Sequence, residues 1–457
     1  MHMNLVWNDY NPTRKVGKLC YQYCSKQSVL PVRDVLNDHY KGFKVEPNYE
    51  TSCYNWSAKC NQGSVRAAVK DGLSHILFIT KYTGQKREYL GRYFIVGYYE
   101  IGWVTNVGEN TAIRAKRMCF THINQAYEVT DERWRRINTQ GQTLRLENLR
   151  QATQRIKGAL LDEIISHLDK GYATDDFLYE AARLKSKYNS FDSIPSGRVF
   201  IINVGANTTS PLQSPVFDDG RFEFVPIPEY AQIDSNEILS FSDLRQFNHP
   251  DQPFLALYSK VSLSPGDKVH SDPEFLTFTY GDNTNQKSNL QDMRAGDYLF
   301  FLARLVPFSD THFQHERAFF ALVGYLEIAE VLNDPNTSLF TSLAFVRNAH
   351  VRRWLVNPSS FDNFAIFKGS TKSRRFRYAV HFDQNFVENV PLLKADESVW
   401  DWDRTTELGI IGSNTRTVRM YIDPKTPDGQ KQAEKFWRVI WEAQKWNVSG
   451  RNHKASC

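Results

Sequence analysis

The sequence predicts a β-rich α+β protein with two β-barrel modules joined by a helical insert. Two observations support this prediction. The phrase VGYYEI at residues 96–101 returns as VGYLEI at residues 323–328, and short runs of β-branched and aromatic residues surround one helical stretch at residues 143–187. A chain of 457 residues is also too long for a single hydrophobic core, so at least two domains are expected.

The repeated phrase predicts two β-hairpins. Each copy follows an apolar run, residues 75–79 in the first half and residues 297–301 in the second, and polar residues separate the run from the phrase. This pattern is typical of two buried strands joined by a loop. Each run also contains a Leu-Phe pair, at 77–78 and at 299–300. The second match favours a duplicated β module over a chance match between two short windows.

The predicted boundaries follow changes in this pattern. Residues 1–140 contain mostly strand-like runs and form the first module. Residues 141–197 form a helical insert and linker, because apolar residues recur there at helical spacing and a turn-rich stretch follows. Residues 198–457 form the second module, which closes with a helix near residues 428–446. That helix is expected to pack on the second barrel, although its apolar face could also bind a partner.

Composition points to the cytoplasm. No run of about 20 apolar residues is present, so no membrane-spanning helix is expected. Residues 1–9 lack the basic and apolar segments of a signal peptide. Six cysteines suit a compartment in which thiols stay reduced. They could be ordinary buried thiols, or a zinc site could form from Cys20, Cys24, Cys119 and His122.

The net charge of +5 is too small to indicate a nucleic-acid partner by itself, but the cations are clustered. Basic and aromatic residues are mixed in residues 347–354 and again in residues 364–378. Cations can bind phosphates and aromatic rings can stack on bases, although basic runs are commonly solvated surface. The candidates for a nucleic-acid groove are Arg304, His350, Arg352, Ser373, Arg374 and Arg375.

Three features of the first half carry a resemblance. They are the aromatic strand LVWN at residues 5–8, the pair Trp56 and Ser57, and the first predicted hairpin. Together they resemble the PUA-like superfamily, in particular its EVE and YTH branch, over residues 1–140. The resemblance implies a small bent β-barrel that holds a modified base in an aromatic pocket, with Trp7, Trp56 and Ser57 as pocket residues.

Six phrases in the second half carry a more specific resemblance. They are NVGAN at 203–207, SPVFDDG at 214–220, FEFVPIPE at 222–229, HSDPEF at 270–275, TYGD at 279–282 and SRRF at 373–376. In this order they resemble the third type of nucleotide-modification-associated domain, over residues 199–425. That family is linked to modified-base systems of phages and bacteria. The resemblance therefore implies a substrate class and a role in base modification, restriction or defence, rather than a defined reaction.

His270, Asp272 and Glu274 form the most chemically suggestive pattern in these phrases. On an extended chain alternate residues share a face, so the three side chains are expected to converge. Asp282, in a turn after Tyr280, could join them. Such a group could supply a general base or bind a divalent ion, or it could be a polar loop that caps its own backbone. We assign no metal and no cofactor from the sequence.

Polar side chains elsewhere in the phrases could contact a base. The amides of Asn203 and Asn207 can donate to and accept from a base edge, or they can cap loop backbone. Tyr280 and Asp282 are candidates for the same contact.

We predict a nucleic-acid-binding protein that recognises a nucleobase, modified rather than ordinary, after it is flipped out of the stack. DNA is favoured over RNA as the partner. The alternative is an enzyme that modifies a nucleobase or nucleotide, with His270, Asp272 and Glu274 as catalytic residues. A third hypothesis is a scaffold that binds only protein within a modification or defence system. The sequence leaves the oligomeric state open.

Overall fold

The structure, a computed structural model, describes most of the chain. The described residues are 6–23, 33–34, 45–46, 49–54, 62–107, 110–138, 146, 154–187, 194–204, 212–229, 239–258, 266–283, 289–309, 312–334, 336–358, 364–390 and 420–445. The chain divides into two compact units. The N-terminal unit comprises residues 3–182 and 336–347, and the C-terminal unit comprises residues 183–335 and 348–457 with the first two residues.

The N-terminal unit is built on a mixed sheet of eight strands. The strands of this unit are β1 (Asn8–Asp9), β2 (Arg14–Tyr23), β3 (Arg33–Asp34), β4 (Val45–Glu46), β5 (Cys53–Tyr54), β6 (Leu73–Lys81), β7 (Tyr93–Val107), β8 (Asn110–Phe120), β9 (Tyr127–Glu128) and β10 (Arg155–Lys157). The helices are α1 (Gln62–Lys70), α2 (Asp131–Ile137), α3 (Ala159–Lys170), α4 (Thr174–Lys187), whose last turns belong to the C-terminal unit, and α5 (Leu343–Val346). Along the sheet the order is β10-β2-β6-β7-β8-β5, and β3 pairs with β4 separately.

Helix α3 covers one face of this sheet. Leu161, Ile164 and Leu168 recur at spacings of three and four residues, which places them on one side of the helix. All three are fully buried in the cluster that contains Leu77 of β6 and Tyr98 of β7. The apolar pattern that predicted a helix therefore forms part of the core of the N-terminal unit.

The C-terminal unit is built on a mixed sheet of nine strands. Its strands are β11 (Val199–Asn203), β12 (Ser214–Val216), β13 (Ile227–Pro228), β14 (Val269–His270), β15 (Thr279–Asn283), β16 (Tyr298–Ser309), β17 (His312–Phe313), β18 (Phe319–Leu332), β19 (Phe364–Gly369), β20 (Arg374–His381) and β21 (Met420–Ile422). Its helices are α6 (Ala349–Val356), α7 (Gln384–Asn389) and α8 (Pro427–Lys445). The main path is β21-β11-β16-β18-β19-β15, while β13 and β14 form a separate two-stranded sheet.

Helix α8 packs on the C-terminal sheet as α3 packs on the N-terminal one. Its Phe436 and Trp437 are buried against Phe300 of β16 and Tyr325 of β18. The closing helix therefore packs on the second sheet, as expected.

The two sheets have the same strand order and the same strand directions. In each, the first long strand pairs in parallel with the first strand of a hairpin, β2 with β6 and β11 with β16. The hairpins β6–β7 and β16–β18 are antiparallel, and the two predicted hairpins are thereby confirmed. Strands β19 and β20 together pair along β18 as β8 pairs along β7.

The hairpin registers correct the predicted alignment of the two copies by one residue. Leu77 pairs with Tyr98, and the residue that pairs with Tyr325 is Phe300 rather than Leu299. One residue later both ladders shift their register, after Phe78 and after its counterpart on β16. A bulge at the same place in both hairpins supports the duplicated module.

The fold class is α+β with strands dominating, as predicted, but the closed barrels are not confirmed. In the described residues each main sheet ends in two edge strands, β10 and β5 in one and β21 and β15 in the other. A barrel would require those edges to pair with each other. None of the described helices has the length and apolar character that crossing a membrane requires.

Candidate functional site

The segment between β11 and β15 carries a buried group of polar side chains. Strands β13 and β14 pair with Ile227 opposite His270, so Glu229, directly after β13, lies beside His270. Oε2 of Glu229 is 3.1 Å from Nδ1 of His270, and the two side chains are 1% and 3% exposed. This contact holds the imidazole ring in one orientation.

Arg353 of α6 is the second partner of Glu229. Its Nε donates to Oε2 at 2.8 Å, and its Nη2 donates to Oε1. Such a two-point pair fixes the plane of the carboxylate as well as its charge. Glu229 is therefore positioned to orient His270.

Asp272 is tied to two other elements. The chain turns after β14, with the backbone N–H of Asp272 donating to the carbonyl of His270 at 3.0 Å. Oδ1 of Asp272 then accepts from the backbone N–H of Gly281 and from Nδ2 of Asn348, both at 2.8 Å. Asn348 also caps α6, since its Oδ1 accepts from the backbone N–H of His350 at 2.9 Å.

His350 completes the cluster. Its Nε2 lies 3.4 Å from Oδ2 of Asp272, and its ring meets that of His270 edge-on, with 4.9 Å between the centroids. The close approach requires a glycine at position 281, because a Cβ there would lie 2.8 Å from Cδ2 of His350. We call His270, Asp272 and His350, with the orienting residue Glu229, the histidine cluster.

The electrostatics of the histidine cluster favour a neutral His270. Burial lowers the pKa of His270, the hydrogen bond to Glu229 opposes this, and the nearby His350 lowers the pKa further. In a neutral ring whose Nδ1–H donates to Glu229, Nε2 carries the lone pair. This Nε2 is buried and has no hydrogen-bond partner in the part of the chain that the structure describes. An unmet buried acceptor costs about 1–3 kcal/mol.

The arrangement has two chemical uses. The lone pair on His270 could accept a proton from a substrate. Alternatively, one ligand atom from each of His270, Asp272 and His350 lies within 4.8 Å of the other two, so the three residues could hold a metal ion.

Glu274 does not join His270 and Asp272. Its carboxylate caps the following turn, accepting from the backbone N–H groups of Leu276 at 2.9 Å and Thr277 at 2.6 Å. The expected convergence assumed an extended chain, and the turn after β14 removes that geometry. Asp282 is also held elsewhere, because its Oδ2 accepts from the hydroxyl of Tyr280 at 2.9 Å.

The structure places Arg374 and Arg375 inside the C-terminal unit. Arg374 is 7% exposed and its Nη1 donates to the carbonyl of Lys185 at 2.8 Å. Arg375 is 3% exposed; its Nη2 lies 3.1 Å from Oε2 of Glu223, and its guanidinium stacks on Phe247. These contacts favour a structural role, so neither arginine is part of the site that we propose.

The other groove candidates are dispersed. Nη1 of Arg304 donates to Oε1 of Gln213 at 2.9 Å, and Oγ of Ser373 accepts from the backbone N–H of Glu327 at 3.0 Å. Arg352 lies two residues after His350 on α6, so the two side chains point to different sides of the helix. Only His350 of this group belongs to the histidine cluster.

The remaining candidates, from the first half and from residues 203–207, lie apart from the cluster in sequence. Trp7 stacks against Arg114 within the N-terminal unit, at 4.3 Å from guanidinium carbon to ring centroid. Asn203 ends β11, whereas Trp56, Ser57 and Asn207 lie outside the described residues. Cys20 and Cys119 are buried, and burial raises the pKa of each thiol to about 12. Cys24 lies outside the described residues, and His122 pairs with Asp176.

Sequence reasoning missed Glu229, Arg353 and the cap Asn348. The sequence contains a signal for Arg353, because Arg353 follows His350 by three residues and this spacing places two side chains on the same face of a helix. Glu229 meets His270 only through the pairing of β13 with β14, and no local pattern predicts that pairing.

Comparison with protein families confirms the resemblance of the second half. Residues 198–396 match the family model described as nucleotide modification associated domain 3. The comparisons with curated proteins and with solved structures give no significant match, and the PUA-like resemblance of the first half is not confirmed. The matched residues contain the whole histidine cluster, so the candidate site lies in a region similar to a nucleotide-modification-associated domain.

Proposed function

We propose that the protein is an enzyme that modifies a nucleobase or nucleotide, with its reaction centre at His270, Asp272 and His350. The observation that supports this most strongly concerns Nε2 of His270, which is buried, belongs to a ring oriented by Glu229 and has no hydrogen-bond partner among the described residues. A perturbed titratable group surrounded by oriented partners is typical of a functional site. The match of this region to a nucleotide-modification-associated domain supports nucleobases or nucleotides as the substrate class.

The orientation of the cluster supports chemistry more than passive packing. On Asp272, Oδ1 accepts two hydrogen bonds while Oδ2 faces His350. On His270, Nδ1 is held by Glu229, whereas Nε2 has no partner within the ranges that the structure describes. In each residue one atom is fixed by the fold and the other is left for a ligand, which is how reactive groups are commonly positioned.

The burial of the cluster restricts the form of the substrate. A base stacked in a duplex cannot reach a side chain that is 3% exposed. We infer that the substrate enters as a free nucleotide, a single-stranded base or a base flipped out of DNA, and that the structure around the cluster opens to admit it. DNA remains the favoured polymer.

The test is nucleoside mass spectrometry on cells that express the protein, because the cell supplies co-substrates of unknown identity. We expect a nucleoside or nucleotide of new mass with the native protein and its loss with His270→Ala and Asp272→Asn. His122→Ala is the matched control, since His122 also pairs with a carboxylate, Asp176, but lies in the N-terminal unit.

Two outcomes would overturn the proposal. The new species could persist in both cluster variants. Alternatively, no new species could form while the native protein and His270→Ala bind modified DNA equally well. The second outcome would instead support recognition of a modified base without reaction.

A further inference from the structure

We propose that His270, Asp272 and His350 bind one divalent transition-metal ion, of the zinc or ferrous iron class, in the C-terminal unit. From the sequence a divalent ion was one alternative for His270, Asp272 and Glu274, but His350, which is distant in the chain, was not among those candidate ligands. The proposal rests on the positions of the donor atoms and on the contacts that orient them.

The separations of the donors suit a metal. Two ligand atoms at about 2.0–2.1 Å from a tetrahedral ion lie roughly 3.4 Å apart. Nε2 of His350 and Oδ2 of Asp272 lie 3.4 Å apart. All three residues offer a ligand atom within 4.8 Å of the others, so a small inward movement of His270 would complete the set.

The surrounding contacts are those that metal-binding histidines require. A ligating histidine commonly donates its other ring N–H to a carboxylate, which fixes the ring and makes the ligating nitrogen more basic. Glu229 accepts from Nδ1 of His270 in this way, and Arg353 holds Glu229 in place. Asp272 is held through Oδ1, which leaves Oδ2 for the ion.

The donor types select the class of ion. Imidazole nitrogen suits zinc, iron, nickel and copper, whereas calcium and magnesium prefer oxygen ligands only. Two imidazoles and one carboxylate are a set used for zinc and for non-haem ferrous iron, and both leave coordination positions open to water or substrate.

The inference rests on the proposed function for its chemical meaning, but metal binding itself can be measured without any substrate. If a metal binds and no modified nucleoside forms, the metal site stands and the proposed enzyme fails. If a product forms and chelation does not reduce it, the enzyme stands and the metal site fails.

The experiment is a titration of chelator-treated full-length protein with Co²⁺, followed by Zn²⁺ and by anaerobic Fe²⁺ in competition. We expect one Co²⁺ per chain, with the absorption of nitrogen and oxygen ligands and without thiolate-to-cobalt charge transfer. The spectrum separates this site from any site built on cysteine. The competition identifies which ion binds more tightly.

Three variants sharpen the result. Asp272→Asn and His350→Ala should abolish stoichiometric binding, and Glu229→Gln should weaken it about 10–100-fold by releasing His270. His122→Ala should bind normally. Circular dichroism checks folding, and if the ligand variants do not fold, the native cobalt spectrum decides. Absence of stoichiometric Co²⁺ binding by the native protein, a thiolate spectrum, or unchanged binding in the folded ligand variants would overturn the inference.

Discussion

The main sheets of the two units share their strand order, but different side chains pack at one equivalent position. Gly97 of β7 pairs with Phe120, and the equivalent Gly324 of β18 pairs with Arg375. Phe120 packs among aromatic rings, including that of Phe78. At the equivalent place Arg375 meets a buried carboxylate and stacks on an aromatic ring. One framework therefore supports an apolar layer in the N-terminal unit and a charged one in the C-terminal unit.

The difference originates in the segment that follows the first long strand. Between β2 and β5 this segment runs from residue 24 to 52, whereas between β11 and β15 it runs from residue 204 to 278. The longer segment supplies Glu223 to Arg375, and it also supplies Glu229, His270 and Asp272 to the histidine cluster. The shared framework therefore positions this longer segment, which contains three of the four residues of the histidine cluster.

The strongest test of this comparison removes the buried charge pair. Arg375→Ala should destabilise the protein by about 3–5 kcal/mol, because it leaves Glu223 buried without its cation. The free energy of unfolding from urea titration measures the effect. Arg377→Ala is the matched control on the same strand, since Arg377 is half-buried and stacks on Tyr378. A loss for Arg375→Ala no larger than the loss for Arg377→Ala would show that the charged layer is not structural.

The framework could be predicted because its signals are local. Alternating and continuous apolar runs predicted both hairpins, and α3 and α8 were visible at helical spacing. The alignment of the two Leu-Phe pairs differs from the observed strand register by one residue, because sequence identity does not show which residues pair across strands. Closure into barrels, which the PUA-like resemblance implied, is not confirmed, because a strand pattern does not show which other strand each sheet edge pairs with.

The histidine cluster could be predicted only in part, for a physical reason. His270 and Asp272 are close in sequence, and a turn rather than an extended strand brings them together. Glu274 does not join the cluster, because the chain continues to turn and the carboxylate of Glu274 caps the backbone of that turn. The basic residues near 374 predict a phosphate site because the sequence does not show burial. In the structure Arg375 instead pairs with Glu223, which lies far away in the chain.

A second test concerns the cluster that only the C-terminal unit has among the described residues. Gly281→Ala would bring a Cβ within 2.8 Å of the ring of His350 and displace it. A displacement of about 1 Å can lower a rate about 100-fold, so product formation should fall by that order. The control is Gly266→Ala, where an added Cβ meets nothing within 4 Å. Equal product from the two variants would contradict the placement of His350 at the reaction centre.

The smallest expected effect tests the shared framework itself. A Cβ at Gly97 would lie 2.5 Å from the carbonyl oxygen of Cys119, and one at Gly324 would lie 2.6 Å from that of Arg374. Because backbone atoms on a paired strand cannot move aside cheaply, each change to alanine should cost about 1–3 kcal/mol. Urea titration of each variant measures its free energy of unfolding. If the two modules are equivalent in packing as well as in strand order, the two variants should lose similar amounts of unfolding free energy. A loss of stability for Gly97→Ala with none for Gly324→Ala would contradict this. It would mean that the repeated phrase is alike in sequence but does not have the same structural role in the two units.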